Sequence, residues 1–277
     1  MRYPRVLTVQ DLSCAGQCSL TVALPVLSAC GAETCVLPTA VLSTHTGGLG
    51  RPYIRDLTED MPHIAAHWEN AEIRFDMISC GYLGSVEQME QVERVFDRLV
   101  VPGCVKVIDP AMADHGTLYA GFDDAFVEGM KRFCIQADWL LPNLTEACLL
   151  TGSEYRTNYG CTYIDELLKK LSAMGCKGIV LTGVSFDEAT TGAVIWEQGR
   201  STYYRHERLE RNCHGTGDIF AAVFTGALAK GKTASEAVKI AADYTLACMK
   251  LTMAENTRPY GVMFEPLLGE LIRSLQG

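Results

Sequence analysis

Short apolar runs alternate with longer amphipathic segments along most of the chain. The short runs predict buried strands at Arg5–Gln10, Glu33–Val41, Phe75–Cys80, Val105–Asp109, Asp138–Leu141 and Gly178–Thr182. Apolar positions at helical spacing predict helices at Ser19–Cys30, Thr58–Asn70, Val86–Leu99, Asp123–Gln136, Leu144–Leu150 and Tyr163–Met174. Strands that alternate with helices in this way are typical of a parallel sheet covered on both faces.

The last third of the chain predicts a hairpin and then helices alone. Ala193–Glu197 and Ser201–His206 form the hairpin, and helices follow at Asp218–Ala229, Ala234–Leu251 and Phe264–Ser274. Because no repeat, low-complexity tract or linker divides the chain, we predict one α/β domain over residues 1–277. Its three layers would be α/β/α around a mainly parallel central sheet. In such sheets ligands bind beyond the carboxyl ends of the strands.

Charge and composition narrow the classes of function. The chain has 24 basic and 33 acidic residues, a formal net charge of −9, which argues against nucleic acid and anionic membranes as partners. No signal-peptide core and no apolar run long enough for a membrane span are present in the sequence, so we expect a cytoplasmic protein. Its 12 cysteines would then be reduced thiols that serve as small apolar side chains.

Two glycine-containing segments are candidates for binding phosphate. Gly226–Thr233 matches the pattern GxxxxGK[ST], but a predicted helix precedes it where the mechanism needs a strand. We therefore expect no phosphate site there. Asn212–Asp218 is a polar turn that opens directly into a helix. Gly215 and Gly217 let the backbone approach an anion, and the unpaired N–H groups of the helix start attract it.

Gly215-Thr216-Gly217-Asp218 resembles the GxGD signature of the ribokinase superfamily. Four further segments resemble motifs of its vitamin-kinase branch and occur in the same order along the chain, namely Ser43–Gly47, Gly81–Ser85, Asp109–Met112 and Pro142–Glu146. The five segments are distributed along nearly the whole chain. The chain thus resembles the pyridoxal kinases of this branch, and the resemblance implies a ribokinase-like fold.

The resemblance implies how a phosphoryl group would be transferred. Asp218 would take the proton of the 5′-hydroxyl of a B6 vitamer. The N–H groups of Gly215, Thr216 and Gly217 would stabilise the γ-phosphoryl group of ATP during its transfer. From the residues alone, Asp218 is equally explained as a first-turn carboxylate that stabilises its helix.

The resemblance also implies a site for the nucleotide and for Mg²⁺. Asn143 and Glu146 would act through water on Mg²⁺ and the phosphates, with Asp109 nearby, and Thr182 would contact the nucleotide. Mg²⁺ keeps several waters and is held by few carboxylates, which suits this set. Local explanations stay open: a solvated first-turn residue for Glu146, a turn before Pro110 for Asp109 and a strand-end cap for Thr182.

The pyridine ring would lie between the loop after the first strand and the loop at Ser43–Gly47. The implied ring contacts are Asp11, His45, Thr46, Gly47 and Tyr82. Many pyridoxal kinases carry a serine where this chain has Asp11, and a carboxylate can pair with a protonated ring nitrogen or a primary amine. His45 is also explained as a structural histidine.

One further loop resembles the flap that closes over the phosphates in pyridoxal kinases. It spans Ala113–Gly121 and contains the predicted lid residues His115, Gly116 and Tyr119. A glycine at each side of the segment suits a lid, since glycine tolerates the backbone changes that closure needs.

Cys213 differs from the other cysteines because it lies in a polar turn beside a helix start, where the helix dipole favours a thiolate. A thiolate there would add reversibly to the aldehyde of pyridoxal and hold the vitamer near Asp218. The alternative is a loop cysteine without a role.

We therefore predict an ATP-dependent, Mg²⁺-dependent kinase for pyridoxal, pyridoxamine or pyridoxine, and leave open whether K⁺ assists. The alternatives are a hydroxymethylpyrimidine (phosphate) kinase, another small-molecule kinase of the superfamily, and a non-catalytic vitamin-binding regulator. The segments Gly81–Ser85 and Ser43–Gly47 favour pyridoxal over a pyrimidine, and Asp218 favours a catalyst over a regulator. The resemblance also implies a homodimer.

Overall fold

The structure is a computed structural model that describes residues 3–47, 49–210, 213–255 and 260–276. The chain divides into two compact units, Met1–Cys104 with Leu209–Gly277, and Val105–Arg208. The single kinase domain over residues 1–277 stays a prediction. Asn212, which opens the glycine turn in the sequence, lies outside the described residues.

The first unit contains a four-stranded arrangement with helices from both ends of the chain. Its strands are β1 (Arg5–Ser13), β2 (Glu33–Leu42), β3 (Ile54–Asp56) and β4 (Phe75–Cys80), in the order β4-β1-β2-β3. β1 is parallel to β2 and β4, and β3 is antiparallel to β2. The helices are α1 (Leu20–Ala29), α2 (Met61–Asn70), α3 (Val86–Arg98), α7 (Thr216–Ala229), α8 (Ala234–Ala254) and α9 (Leu268–Ser274), with a 3₁₀ turn at Glu265–Leu267.

The second unit continues the same alternation. β5 (Val100–Ile108) ends in it and is followed by β6 (Ala113–Asp114), β7 (Thr117–Leu118), β8 (Trp139–Leu140), β9 (Gly178–Val184), β10 (Thr190–Glu197) and β11 (Arg200–Glu207). The order is β5-β8-β9-β10-β11, with β5, β8 and β9 parallel and the predicted hairpin β10–β11 antiparallel. The helices are α4 (Asp124–Cys134), α5 (Leu144–Thr151) and α6 (Cys161–Ala173). The predicted α/β class with mainly parallel strands and flanking helices is confirmed.

Apolar patterning accounts for how the helices of the first unit are placed. α3 is amphipathic and buries Met89, Val92, Val95 and Phe96 on one face. α7 is apolar around most of its circumference, and every residue from Ile219 to Ala227 except Phe220 is buried, since the helix packs against α1, α8 and β4. Its first turn is half-buried to exposed, which leaves the start of the helix accessible.

The apparent phosphate loop at Gly226–Thr233 is a helix end, as the sequence predicted. α7 runs through Ala229, and Gly231 follows it with a φ of 83°, a left-handed conformation that suits glycine. Thr233 then caps α8 by accepting a hydrogen bond from the Glu236 N–H. The N–H groups of residues 230–233 are hydrogen-bonded at the end of α7 or the start of α8, so none is available to bind a phosphate.

Three segments differ from the predicted elements. β1 extends through Ser13, so Asp11 lies inside the strand, at a shift in its register with β2, instead of just after it. β3 was not predicted, because three exposed residues carry no burial pattern. The predicted lid loop contains the short hairpin β6–β7. No helix in the described ranges is both long enough and apolar enough to span a membrane.

Candidate active site

The glycine turn before α7 leaves its backbone donors open to an anion. Gly215 is the N-cap residue with a φ of 84°, and no described side chain caps the helix. A Cβ on Gly215 would lie 2.0 Å from the Gln17 carbonyl oxygen, so only glycine fits. The uncapped N–H groups and the positive end of the helix dipole make this turn suitable for a phosphate group.

The loop between β1 and α1 supports the glycine turn from one side. The Val262 N–H donates to the His214 carbonyl oxygen at 3.1 Å, and Gln17 forms a parallel bridge with Gly261. The Thr21 hydroxyl lies 2.8 Å from the Gly16 carbonyl oxygen and 2.7 Å from that of Cys18. These hydrogen bonds hold in place the loop whose Gln17 carbonyl group faces Gly215.

Asp218 lies in the first turn of α7, directly after the glycine turn. Its pKa is raised to about 6, mainly by burial and also by the charge of Asp11, against an opposing contribution from the backbone of Ser19. A carboxylate with this pKa is mostly unprotonated at neutral pH and is a stronger base than an exposed aspartate. It can therefore accept a proton from a hydroxyl group held beside it.

Asp11 is buried, with 5% of its surface exposed. Its Oδ1 accepts a hydrogen bond from the Ser19 hydroxyl at 2.6 Å, and its Oδ2 accepts one from the Ser13 hydroxyl at 3.2 Å. Burial raises the pKa of Asp11, and it also raises the pKa of the half-buried Tyr82, to which the charge of Asp11 contributes. Asp11 and Tyr82 thus lie near each other, and the predicted contact of Asp11 with a pyridine ring stays a prediction.

His45 is buried and oriented by its own loop. Its Nδ1 accepts a hydrogen bond from the Gly47 N–H at 3.0 Å, so the neutral ring carries its proton on Nε2. The ring lies 5.5 Å from that of His214, measured between centroids. A Cβ on Gly16 would lie 2.2 Å from the His45 ring, and one on Gly47 would lie 2.6 Å from the His214 ring. A side chain at either glycine would therefore displace one of the two histidine rings.

Two predicted residues of this unit have simpler surroundings. Thr46 is exposed, next to the buried His45. Cys213 is half-buried, and its carbonyl oxygen accepts a hydrogen bond from the Thr216 hydroxyl at 3.3 Å. The thiol chemistry predicted for Cys213 stays a prediction.

In the second unit, Glu146 is buried and organises the backbone around it. Its Oε1 accepts hydrogen bonds from the N–H groups of Met112 at 3.1 Å and Ala113 at 3.5 Å, and its Oε2 accepts one from Asn143 at 2.9 Å. Burial raises its pKa to about 7, against the effect of these bonds. The alternative of a solvated first-turn residue is therefore wrong, because Glu146 has 2% of its surface exposed.

Asn143 and Thr182 meet at the ends of neighbouring strand segments. Asn143 caps α5 through the Glu146 N–H at 3.0 Å, and its Nδ2 donates to the Ala113 carbonyl oxygen at 2.8 Å. The Thr182 N–H donates to the Pro142 carbonyl oxygen at 2.9 Å, and Thr182 bridges in parallel with Asn143. Asn143 follows β8, whereas Thr182 lies within β9, which extends through Val184, so the strand-end cap considered for Thr182 is wrong. Both residues are nevertheless near the carboxyl ends of their strands, where α/β sheets bind ligands.

The residues predicted for Mg²⁺ differ in what they can offer. Asp109 directly follows β5 and is half-buried. Glu146 directs both oxygens at backbone N–H groups. No group of three or more metal-ligating side chains occurs in the part of the chain that the structure covers. A single carboxylate that shares Mg²⁺ with waters and phosphates fits this arrangement, and a protein cage does not.

The predicted lid residues form the turn and flank of a small hairpin. β6 and β7 pair through Ala113 with Leu118 and Asp114 with Thr117, so His115 and Gly116 are the turn. Their φ angles, 49° and 79°, are both positive, as a type I′ turn requires. The Gly116 N–H donates to the Thr145 hydroxyl at 2.9 Å, and Tyr119 is exposed. The tip of the hairpin, residues 114–117, is exposed, whereas its base at Ala113 is buried and held by hydrogen bonds with Glu146 and Asn143. Its movement as a lid stays a prediction.

The structure brings most predicted residues into two clusters, one in each unit. In the first unit, the charge of Asp11 acts on both Tyr82 and Asp218, and the His45 loop reaches His214 beside the glycine turn. Ser19, whose hydroxyl donates to Asp11, was missed because its place in the sequence predicts only the start of a helix. His214 was missed because its role depends on contact with a histidine distant in sequence.

Comparison with known proteins agrees with this geometry. A family model described as phosphomethylpyrimidine kinase matches residues 24–262. The chain is 29% identical over 267 residues to a pyridoxine/pyridoxal/pyridoxamine kinase of Bordetella avium, covering 89% of this chain and 86% of that protein. It is similar to a crystal structure of pyridoxal kinase from Lactobacillus plantarum, with 34% identity, a TM-score of 0.91 and 98% of each chain covered.

A further similar structure comes from Bacteroides thetaiotaomicron. That protein is described as a phosphomethylpyrimidine kinase, and its crystal form is one with pyridoxal. This structure is 33% identical to the chain, has a TM-score of 0.90 and covers 100% of this chain and 96% of its own. The family match spans most of the sequence and the similar structures span nearly all of it. The chain therefore belongs to the phosphomethylpyrimidine kinase family and is a vitamin kinase of the ribokinase superfamily.

Proposed function

We propose that the chain transfers the γ-phosphoryl group of ATP to the 5′-hydroxyl of a B6 vitamer. The observation that carries this proposal is Asp218, a half-buried carboxylate with a pKa of about 6, placed directly after an uncapped glycine turn. Phosphoryl transfer to an alcohol needs a base for the hydroxyl proton and donors for the charge on the phosphate oxygens. The start of α7 provides both.

The first unit would hold the vitamer. Asp218 takes the proton from the 5′-hydroxyl, and the N–H groups of residues 215–217 stabilise the transferring group. His45 would supply a buried imidazole to the vitamer, and Gly47 a backbone that the vitamer can approach closely. Tyr82 would supply the face of an aromatic ring. His45 can donate from Nε2, because the Gly47 N–H occupies Nδ1.

The second unit would hold the nucleotide and its metal ion. Asp109 would hold Mg²⁺ together with waters and phosphate oxygens, and the ion would neutralise charge on the phosphates. Asn143 and Thr182, near the carboxyl ends of β8 and β9, would contact the nucleotide. Glu146 positions the Met112–Ala113 segment through its hydrogen bonds, so its contribution to the metal is made through the backbone it orders.

A B6 vitamer is preferred to a pyrimidine because the similar proteins named above include pyridoxal kinases and a structure with pyridoxal. The family description itself names phosphomethylpyrimidine kinase, so hydroxymethylpyrimidine and its phosphate are the second candidates. Hydroxymethylpyrimidine, like a B6 vitamer, presents a primary alcohol to the same base, whereas its phosphate presents a phosphate oxygen as the acceptor. The ring contacts, and not Asp218, must therefore distinguish them.

A substrate panel tests this proposal directly. We expect ATP-dependent release of ADP with pyridoxal, pyridoxamine and pyridoxine, at a kcat/KM at least about tenfold above that for hydroxymethylpyrimidine. The measurement is a coupled ADP assay, with mass spectrometry of the phosphorylated product. Higher efficiency with hydroxymethylpyrimidine or its phosphate would assign the second function instead.

The Cys213 thiol gives a second prediction for substrate binding. Addition of the thiol to the pyridoxal aldehyde forms a C–S bond and moves the thiol proton to the carbonyl oxygen, which yields a hemithioacetal. Cys213→Ala should then raise KM about threefold or more for pyridoxal and leave KM for pyridoxamine unchanged, since pyridoxamine has no carbonyl. Cys161→Ala, at an exposed cysteine of the other unit, is the control. Equal effects on both vitamers would exclude the adduct.

A further inference from the structure

Gln88 is a polar side chain inside the first unit, with 1% of its surface exposed. It is the third residue of α3, and its backbone N–H donates to the hydroxyl of Ser85, the N-cap residue, at 3.2 Å. A glutamine at this position commonly completes a capping box by accepting from the N-cap N–H. Its Oε1 instead accepts from the Gly84 N–H, one residue earlier, at 2.7 Å. The side chain therefore holds the loop that leads into the helix.

The other end of the Gln88 amide reaches two segments that are distant in sequence. Its Nε2 donates to the Thr39 carbonyl oxygen of β2 at 3.1 Å and to the Thr58 hydroxyl, before α2, at 2.9 Å. Asp56 Oδ2, at the end of β3, lies 3.4 Å from the same nitrogen. An N–H donor on one side and acceptors on the other fix the orientation of the amide, because only its nitrogen can donate. One buried side chain thus ties the loop before α3 to β2.

The loop that Gln88 holds carries Tyr82, one of the predicted ring contacts. The Gly81 N–H donates to the Val9 carbonyl oxygen of β1 at 3.1 Å, which fixes the start of the loop. The bond from the Gly84 N–H to Gln88 fixes its end. Tyr82 lies between these two bonds and is half-buried. The path of its backbone therefore depends on Gln88, although the two residues belong to different segments.

We propose that Gln88 is a positioning residue for the vitamer ring. Through the Gly84 N–H it holds the loop of residues 81–84, and this loop places Tyr82 against the ring. The proposal rests on the proposed function, which assigns Tyr82 to the ring. Asp218 and the glycine turn belong to α7, on a different part of the chain. Loss of the bond to Gly84 should therefore weaken vitamer binding and leave phosphoryl transfer nearly unchanged.

Gln88→Met removes the hydrogen bonds and keeps the length of the side chain. We expect KM for pyridoxal to rise about fivefold or more, with kcat and KM for ATP within about twofold of the wild-type values. Gln91→Met is the matched control. Gln91 lies one turn further along α3, and its Oε1 accepts from the exposed Arg94 guanidinium at 3.2 Å. This variant should keep all three constants within about twofold.

Gln88→Glu separates the bond to Gly84 from the contribution of Gln88 to stability. A carboxylate still accepts from the Gly84 N–H, but it cannot donate to the Thr39 carbonyl oxygen, and it adds a second charge near Asp56. The melting temperature should therefore fall at least as far as in Gln88→Met. KM for pyridoxal should nevertheless stay within about twofold of the wild-type value. A merely structural role would make KM follow the loss of stability in both variants.

A double-mutant cycle tests whether Gln88 acts through Tyr82. Tyr82→Ala should itself raise KM for pyridoxal, and Gln88→Met should then add less than about twofold in that background. KM increases that multiply in the double variant would overturn the proposal, as would an unchanged KM in Gln88→Met. KM values that follow the melting temperature across the variants would also overturn it. Should Gln88→Met fail to fold, Gln88→Asn, with an amide one carbon too short to reach Gly84 and Thr39 together, is compared in the same way.

Amide hydrogen exchange reports on the loop without any substrate. The Gly84 amide should exchange about tenfold faster or more in Gln88→Met than in the wild type and Gln88→Glu. The Gly81 amide, which is bonded to β1, should keep its rate within about threefold. Unchanged Gly84 exchange in Gln88→Met would reject the role of Gln88 by itself. A wild-type chain that phosphorylates no vitamer would instead contradict the proposed function, before any variant is compared.

Discussion

Replacing Asp218 by asparagine is expected to lower kcat by about 10²–10⁴ and to leave nucleotide affinity nearly unchanged. Asparagine keeps the shape of the side chain at the start of α7 but cannot take up the hydroxyl proton. The substitution removes none of the N–H donors of the glycine turn, so the effect should appear in kcat. Steady-state kinetics and calorimetry of nucleotide binding measure the two quantities.

Asp124→Asn is the matched control for this variant. Asp124 also lies in the first turn of a helix, α4, where it is exposed. If Asp218 only stabilised its helix, the two substitutions would have similar small effects, because a first-turn carboxylate contributes about 0.3–1 kcal/mol. We expect normal kcat for Asp124→Asn. A near-normal kcat for Asp218→Asn would remove Asp218 from the role of base.

The raised pKa of Asp218 predicts where activity falls with acid. The base must be unprotonated, and burial raises its pKa from an ordinary value of 3.8 to about 6. We therefore expect kcat/KM to level off above neutral pH and to fall about tenfold per unit well below pH 6. A profile that stays flat down to pH 4.5 would show a base with an ordinary carboxyl pKa.

Gly215→Ala is expected to lower kcat/KM by about 10²–10³. The added Cβ would lie 2.0 Å from the Gln17 carbonyl oxygen, a backbone atom that cannot rotate away. The glycine turn or the loop facing it must move, and the N–H donors of the turn move with it. The φ of 84° adds strain for any residue with a side chain. Steady-state kinetics and a melting curve report the two consequences.

Gly231→Ala separates the strain from the steric contact. Gly231 has nearly the same φ, 83°, but no heavy atom lies within 4 Å of its added Cβ. The substitution should therefore cost about 1 kcal/mol of stability and leave kcat/KM within about twofold of the wild-type value. An equal loss of activity in both variants would attribute the Gly215 effect to lowered stability instead of to a displaced anion site.

Features encoded within a few neighbouring residues could be predicted from the sequence. The alternation of apolar runs and amphipathic segments indicated the α/β class, since each strand and helix carries its own burial pattern. The glycine turn before α7 was predicted for the same reason: two glycines, a helix start and Asp218 are adjacent in the chain. The helix end at residues 226–233 was also predicted from a local property, the helical pattern of the residues before it.

Features that depend on contacts between residues distant in the sequence could not be predicted in the same way. Glu146 carries the same local signal whether it faces water or three backbone N–H groups, and only packing buried it. The two-residue strands of the lid hairpin are too short to show an alternation. Asp11 was predicted after its strand, because no local signal marks the register shift that extends β1 through Ser13.

By itself, the sequence determined the fold class and the position of the glycine turn before α7, because these depend on periodicity and on adjacent residues. Only the tertiary structure decided that the Ser19 hydroxyl meets Asp11 and that the charge of Asp11 raises the pKa of Asp218. Asp11 belongs to β1 and Asp218 to the start of α7, so this interaction needs α7 to pack against α1 and β4. Burial among these elements also raises the pKa of Asp218, since desolvation is a property of the packed protein and not of the residue.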